Sequence, residues 1–304
     1  MDLGLGLPVS GAWATPRNVA AVARDADAGG FRGVWTFQRW LADQQLPSVY
    51  RSVLDPMIAL GYAAAVTERV RLGIAVVNGP FYSPVALAKQ FATIDRLSDG
   101  RLDAGVGLGW APREYAAAGV PMEDRGRRFD EWLDCMDVLL TQDPVEFAGE
   151  FYTVPRSDIG PMPVQRPRPP LLIGGSAPVA LRRAGRRGDG WISSSRASLD
   201  DIRLAVETVR SAAEKAGKAR DAVRCVVRGV TVLQDAPVDG AHRATLNGSL
   251  DQIRDDLALY ASAGVDEVFL DLNFDSARVG NPDADPHVAL DLVARLLPLG
   301  AESF

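Results

Sequence analysis

Residues Ser83 to Trp110 read SPVALAKQFATIDRLSDGRLDAGVGLGW, a helix and a strand separated by a short stop. Ser83-Pro84 is an opening signal, because proline pre-sets the helical φ where its missing N–H is not needed. Leu87, Phe91 and Ile94 follow at i, i+4 and i+7 and form one apolar stripe. Asp99-Gly100 ends that helix, and Arg101 to Leu108 reads as the strand that follows.

The same unit recurs in both directions. Short β-rich runs at Asp2 to Pro8, Gly33 to Phe37, Val70 to Val76, Pro170 to Gly174, Gly190 to Ser193, Val223 to Leu233 and Glu267 to Leu272 alternate with helical patterns. Thr15-Pro16 opens the first helix and Gly29-Gly30 closes it. Ser198 with Asp201, and Ser249 with Gln252, have capping-box spacing, and those helices stop at Gly217 and Gly264. Eight strands alternating with helices predict an α/β fold, a (β/α)8 TIM barrel spanning residues 1–304 as one domain. An open doubly wound sheet is the rival. A nucleotide-binding version needs G-x-G-x-x-G after the first strand, and Pro8-Val9-Ser10-Gly11-Ala12-Trp13 stands there instead. Residues 141–169 form an insertion between the fourth helix and the fifth strand, with a hairpin-like Val145 to Tyr152 and a stiff proline-rich exit.

Composition narrows the function. The chain of 304 residues is 47% hydrophobic and 24% charged, with a net charge of −6, so no basic stripe supports nucleic-acid binding. Cys135 and Cys225 fall in apolar patterns and read as buried thiols. No signal-peptide pattern or membrane-length apolar run occurs, which predicts a cytoplasmic protein without membrane contact. His242 and His287 lack metal-ligand spacing, so no metal site is expected, and no G-x-S-x-G elbow is present.

Barrel enzymes work at the carboxyl ends of their strands. After the fifth strand, Gly174-Gly175-Ser176 runs into a helix near Pro178, where free backbone N–H groups suit an anion; an ordinary turn with Ser176 as N-cap is the alternative. At the end of the fourth, Gly105, Gly107 and Gly109 alternate before Trp110, leaving one backbone face bare for a flat ring or for close packing. The third continues through Ala75, Val76 and Asn78 without a charge, either a wall for a ring or core filling. The second places Gln38 and Arg39 after Thr36, with Arg39 either orienting a substrate or solvated in a loop.

In order, Pro84 to Arg101, Gly105 to Trp110, Gly126 to Glu131, Pro167 to Gly175 and Gly188 to Trp191 resemble the luciferase-like monooxygenase superfamily, above all its coenzyme F420 branch. The resemblance covers nearly the whole chain. It implies a non-proline cis peptide near Ala75 to Val76, a cofactor phosphate at Gly174, Gly175 and Ser176, and a ring and ribityl chain beside Gly107, Leu108, Gly109 and Trp110. Thr36, Ala75, Val76 and Asn78 complete the implied cofactor contacts. Many relatives carry Asp-His where this chain has Gln38-Arg39, so their imidazole is absent. Gln38 and Arg39 become the candidate catalytic residues, Arg39 as an electrostatic clamp.

The resemblance implies hydride transfer between F420 and a small organic substrate. The alternative is an FMN-dependent monooxygenase served by a separate flavin reductase; Leu108, where flavin-using relatives often place arginine, favours F420. A cofactor-binding protein that has lost catalysis is the third reading, suggested by Gln38-Arg39. Substrate contacts are expected from Trp40 to Arg51, Ala111 to Met122 and Gln234 to Gly248, and a homodimer is expected from the relatives.

Overall fold

The structure, a computed structural model, describes residues 1–240 and 243–304. Ala241 and His242, within the Gln234–Gly248 loop, lie outside the described residues. In chain order the elements are β1 (Asp2–Gly6), α1 (Pro16–Ala28), β2 (Gly33–Thr36), α2 (Pro56–Ala64), β3 (Arg71–Ile74), β4 (Val77–Asn78), α3 (Pro84–Leu97) and β5 (Leu102–Gly107). Then come α4 (Pro112–Ala118), α5 (Arg125–Thr141), β6 (Val145–Ala148), β7 (Thr153–Ser157), β8 (Leu171–Gly174), α6 (Pro178–Arg187) and β9 (Gly190–Ile192). The chain finishes with α7 (Leu199–Lys215), β10 (Arg224–Val230), β11 (Val232–Leu233), β12 (Asn247–Gly248), α8 (Leu250–Ser262), β13 (Glu267–Asp271) and α9 (Pro286–Leu296).

Strands β1, β2, β3, β5, β8, β9, β10 and β13 pair in parallel in that circular order. The ring closes where Leu72 pairs with Leu102 and Gly73 with Asp103, which excludes the open sheet. Both expected capping boxes form, Ser198 with Asp201 and Ser249 with Gln252. The insertion is a β6–β7 antiparallel hairpin followed by cis Gly160-Pro161 and Arg166-Pro167 bonds. No described helix is long and apolar enough to cross a membrane.

Two expected strands are interrupted. The Val70–Val76 run leaves the ladder after Ile74, passes through a cis Ala75-Val76 peptide and rejoins β5 as β4. The Val223–Leu233 run ends its barrel pairing at Val230, and Val232-Leu233 pairs instead with Asn247-Gly248.

Side chains of alternate residues fill the barrel in layers. At its lower end, Asp103 accepts from Arg71 Nε at 2.9 Å and Arg224 Nη2 at 2.5 Å. Burial pushes the Asp103 carboxyl up, but Arg224 and Arg71 outweigh burial and hold it below the ordinary value. Glu267 accepts from Trp35 Nε1 at 2.7 Å, while Arg224 stays 4.0 Å away. Burial therefore dominates at Glu267 and pushes its carboxyl up to about 7. Above this layer, Trp35, Leu172, Ile192, Val226 and Phe269 form an apolar plug, with Trp35 and Phe269 stacked at 5.0 Å. The upper end of the ring is left open.

Candidate active site

The cavity at the carboxyl end of the barrel has a volume of about 570 Å³. The bend at Ala75-Val76 forms part of its floor. A β-carbon on Gly105 would lie 1.6 Å from the Ile74 carbonyl oxygen, and one on Gly107 would lie 2.8 Å from Val76 Cγ2. These two glycines therefore let the bent third strand pack against β5, so close packing accounts for them more directly than a bare platform does. Gly174 plays the same part on the other side, with Val76 Cγ1 3.0 Å from its β-carbon position. Val76 thus stands across the exits of β5 and β8, where Gly107, Leu108, Gly109, Trp110, Gly174, Gly175 and Ser176 also line the cavity.

The Gly174–Ala177 turn is held from below by Trp191, whose Nε1 donates to the Gly175 carbonyl at 2.8 Å. Ser176 is not the N-cap of α6. Ala177 holds that position and has no side chain to cap with, so the first amides of α6 keep no side-chain acceptor. Arg125 and Arg196, both exposed, line the same rim. Neither forms an ion pair among the described residues.

Gln38 and Arg39 both line the cavity, but their side chains are already committed. Gln38 Oε1 accepts from the Asn78 amide at 2.7 Å, and its Nε2 donates to the Tyr82 hydroxyl at 2.6 Å. Burial pushes the Tyr82 phenol up to about 12, so it stays protonated. Gln38 is a tie between the second and third strand exits, and an amide has no proton to exchange near neutrality. Arg39 is no solvated loop charge: its side chain is 6% exposed and its Nη1 lies 3.0 Å from Glu114 Oε2. Its guanidinium also sits over the rings of Tyr50 and Trp110 at 4.6 and 4.7 Å. Glu114 Oε1 accepts the Trp40 and Leu41 amides, so one carboxylate on α4 neutralises Arg39 and anchors its loop. Thr36 does not reach the cavity; its hydroxyl points to the Gly73 carbonyl in the interior.

Tyr50, within the Trp40–Arg51 stretch expected to meet the substrate, lines the cavity, and so do several residues not singled out from the sequence: Ile192, Ser193, Arg125, Arg196 and Arg228. One signal was available. Arg224 and Arg228 interrupt a β-branched strand four residues apart, a spacing that puts both on one face, and a charge on a buried face needs a partner. Arg228 finds Asp271, with Nε and Nη2 each 2.7 Å from Oδ2. Cys135 and Cys225 are buried and free, and burial pushes their thiols up to about 11 and about 12, which leaves them unreactive. No cluster of metal-ligating residues occurs among the described residues.

Residues 4–239 match the family model described as luciferase-like monooxygenase. The chain belongs to this family. As a member it is an enzyme of the oxidoreductase and monooxygenase class. It is 33% identical to an F420-dependent glucose-6-phosphate dehydrogenase of Amycolatopsis mediterranei, over 70% of this chain and 65% of that protein. It is 32% identical to an FMNH2-dependent dimethylsulfone monooxygenase of Pseudomonas putida, over 65% of this chain and 54% of that protein. Among solved structures, the monooxygenase RslO1 from Streptomyces bottropensis superposes with a TM-score of 0.81, covering 98% of both chains at 23% identity, which shows the shared barrel.

Proposed function

We propose that this enzyme transfers a hydride between coenzyme F420 and a small organic substrate. One observation carries the choice of cofactor. The uncapped turn at Gly174 to Ala177 lines the same cavity as Arg125 and Arg196, two exposed cations without carboxylate partners among the described residues. A deazaflavin with a long anionic tail offers more charge to that rim than FMN does, and helix amides with flanking guanidinium groups favour it. When bound, the deazaflavin supplies the hydride donor or acceptor.

The chain's own residues then position and shield. Gly174, Gly175 and Ser176 hold the phosphate; Ala75, Val76, Asn78 and the Gly107–Trp110 exit hold the ring and its linker. Arg39 and Gln38 act as positioning residues that fix the loops above the ring. The wall offers no carboxylate, imidazole or thiol among the described residues, so a proton leaving or reaching the substrate passes through a hydroxyl, such as that of Tyr50, or through water.

The similarity to the dimethylsulfone enzyme supports a second reading, an FMN-dependent monooxygenase supplied by a separate reductase. Titration of the protein with F420 and with FMN, followed by fluorescence, separates the two. Saturable F420 binding is expected, and tight FMN binding with none for F420 overturns the first reading. A homodimer fits the exposed pair Ile58 and Tyr62, one turn apart on α2 and 76% and 43% exposed. Light scattering on the eluting protein checks this.

A further inference from the structure

Four charged side chains line the cavity, and all are arginines. Arg39 is balanced by Glu114, and the proposed function gives Arg125 and Arg196 to the cofactor. Arg228 is left, deeper in, at the end of β10. We infer that Arg228, together with Ser193, forms a seat for a carboxylate, and hence that the substrate is a small organic acid. This inference deepens the proposed function, since it assigns the substrate to the same cavity.

The guanidinium is held in one pose. Phe37 and Phe274 lie against it with centroids 4.3 and 4.2 Å from Cζ. Their ring faces attract the cation, and with centroids 5.6 Å apart the two rings cover adjoining sides of it and restrict its movement. Nε and Nη2 face Asp271 Oδ2. Asp271 cannot swing away, because its Oδ1 accepts from the Asn273 amide at 3.0 Å and from Asn273 Nδ2 at 2.8 Å. Asn273 is fixed in turn, its Oδ1 accepting from the amides of Val9 and Ser10. The remaining edge, at Nη1, donates to no acceptor among the described residues and is not sealed from solvent.

Ser193 supplies the second donor. Its Oγ accepts from the Arg228 amide at 3.0 Å, and its hydroxyl proton has no acceptor among the described residues. A guanidinium edge and a hydroxyl opening into one cavity match the two oxygens of a carboxylate. A charge-assisted bond there is worth about twice a neutral one. Two acids set behind four arginines leave the wall net positive, which favours an anion over a neutral isostere.

Calorimetric titration with benzoate and with its neutral isostere benzamide, in a buffer free of phosphate and carboxylate, tests the assignment. Benzoate is expected to bind roughly tenfold or more tightly than benzamide, a factor worth about 1.4 kcal/mol. Arg228→Gln should abolish that preference and Arg228→Lys retain part of it. Because Arg228→Gln leaves Asp271 unpaired and the fold can suffer, Ser193→Ala is the second variant; it keeps the ion pair and should weaken benzoate severalfold without moving benzamide. Equal binding of the two probes, no binding of benzoate, or a benzoate affinity that neither Arg228→Gln nor Ser193→Ala changes overturns the inference. F420 and FMN titrations of the wild-type protein read the cofactor assignment separately, so either conclusion can fail while the other stands.

Discussion

Val76 Cγ2 occupies the space that a β-carbon on Gly107 would need, 2.8 Å from its position. The bend of the third strand and the glycines of its neighbour are therefore one feature, and the cavity floor depends on both. Gly107→Ala must displace Val76, an overpacking strain of about 1–3 kcal/mol. Cofactor affinity should fall by about tenfold or more, a loss of about 1.4 kcal/mol, while circular dichroism stays unchanged. Adding Val76→Ala should restore part of both stability and binding; a double variant no better than Gly107→Ala counts against the coupling.

Gly105→Ala is a harsher change. Its β-carbon would meet a backbone oxygen at 1.6 Å, and backbone cannot rotate aside as a side chain can. This variant should fail to accumulate as soluble protein, whereas Gly217→Ala, where no atom lies within 4 Å, should stay soluble and lose only the small cost of its left-handed φ.

Glu114 balances Arg39 with both side chains almost fully buried, at 2% and 6% exposure. Glu114→Gln leaves the guanidinium buried without its counter-charge, a loss of about 3–5 kcal/mol in such settings. It also weakens the hold on the Trp40 and Leu41 amides. Denaturant melts should show the destabilisation, and turnover assays a KM rise larger than the kcat fall. Arg39→Met with Glu114→Gln should recover most of the stability, because no buried charge is then left alone.

Arg125→Gln and Arg196→Gln each remove one rim cation. Fluorescence titration should show F420 affinity falling severalfold per variant, with a shallower salt dependence, and FMN affinity changing less. Equal losses for both cofactors would argue against a tail-binding role for these two residues.

Glu267 gives the protein a pH-dependent stability. Its carboxyl titrates near 7 when folded, against an ordinary value of 4.5. The folded state then binds more protons than the unfolded state between those values, so stability is greatest below about pH 4.5 for this group and declines as pH rises to about 7. The full decline is on the order of 3 kcal/mol. Glu267→Gln stays neutral and can still accept from Trp35, so its melting temperature should change less than that of the wild-type protein between pH 5 and pH 8. Parallel curves for the two proteins would contradict the assignment.

Local signals in the chain determined the eight strands, the two capping boxes, the hairpin in the insertion and the turns at the strand exits. Each is written in residues a few positions apart, where proline, glycine and hydroxyl caps act on their own backbone. Strand parity sets Arg224 and Arg228 of β10 on one side of their strand, and Glu267 and Asp271 of β13 on one side of theirs, since four residues along a strand return to the same side; that this side is the inner one is a property of the closed barrel. Which charge meets which was decided only by closure of the barrel. Register sets Val230 beside Asp271, which brings Arg228 to Asp271 at the open end and leaves Arg224 nearer to Asp103 than to Glu267 at the closed end. Those partners lie 43 and 121 residues apart in sequence, and Glu114 likewise reaches Arg39 from a distant part of the chain. An ion pair of this kind has no local signature, because its energy depends on burial and distance that exist only once distant strands have come together.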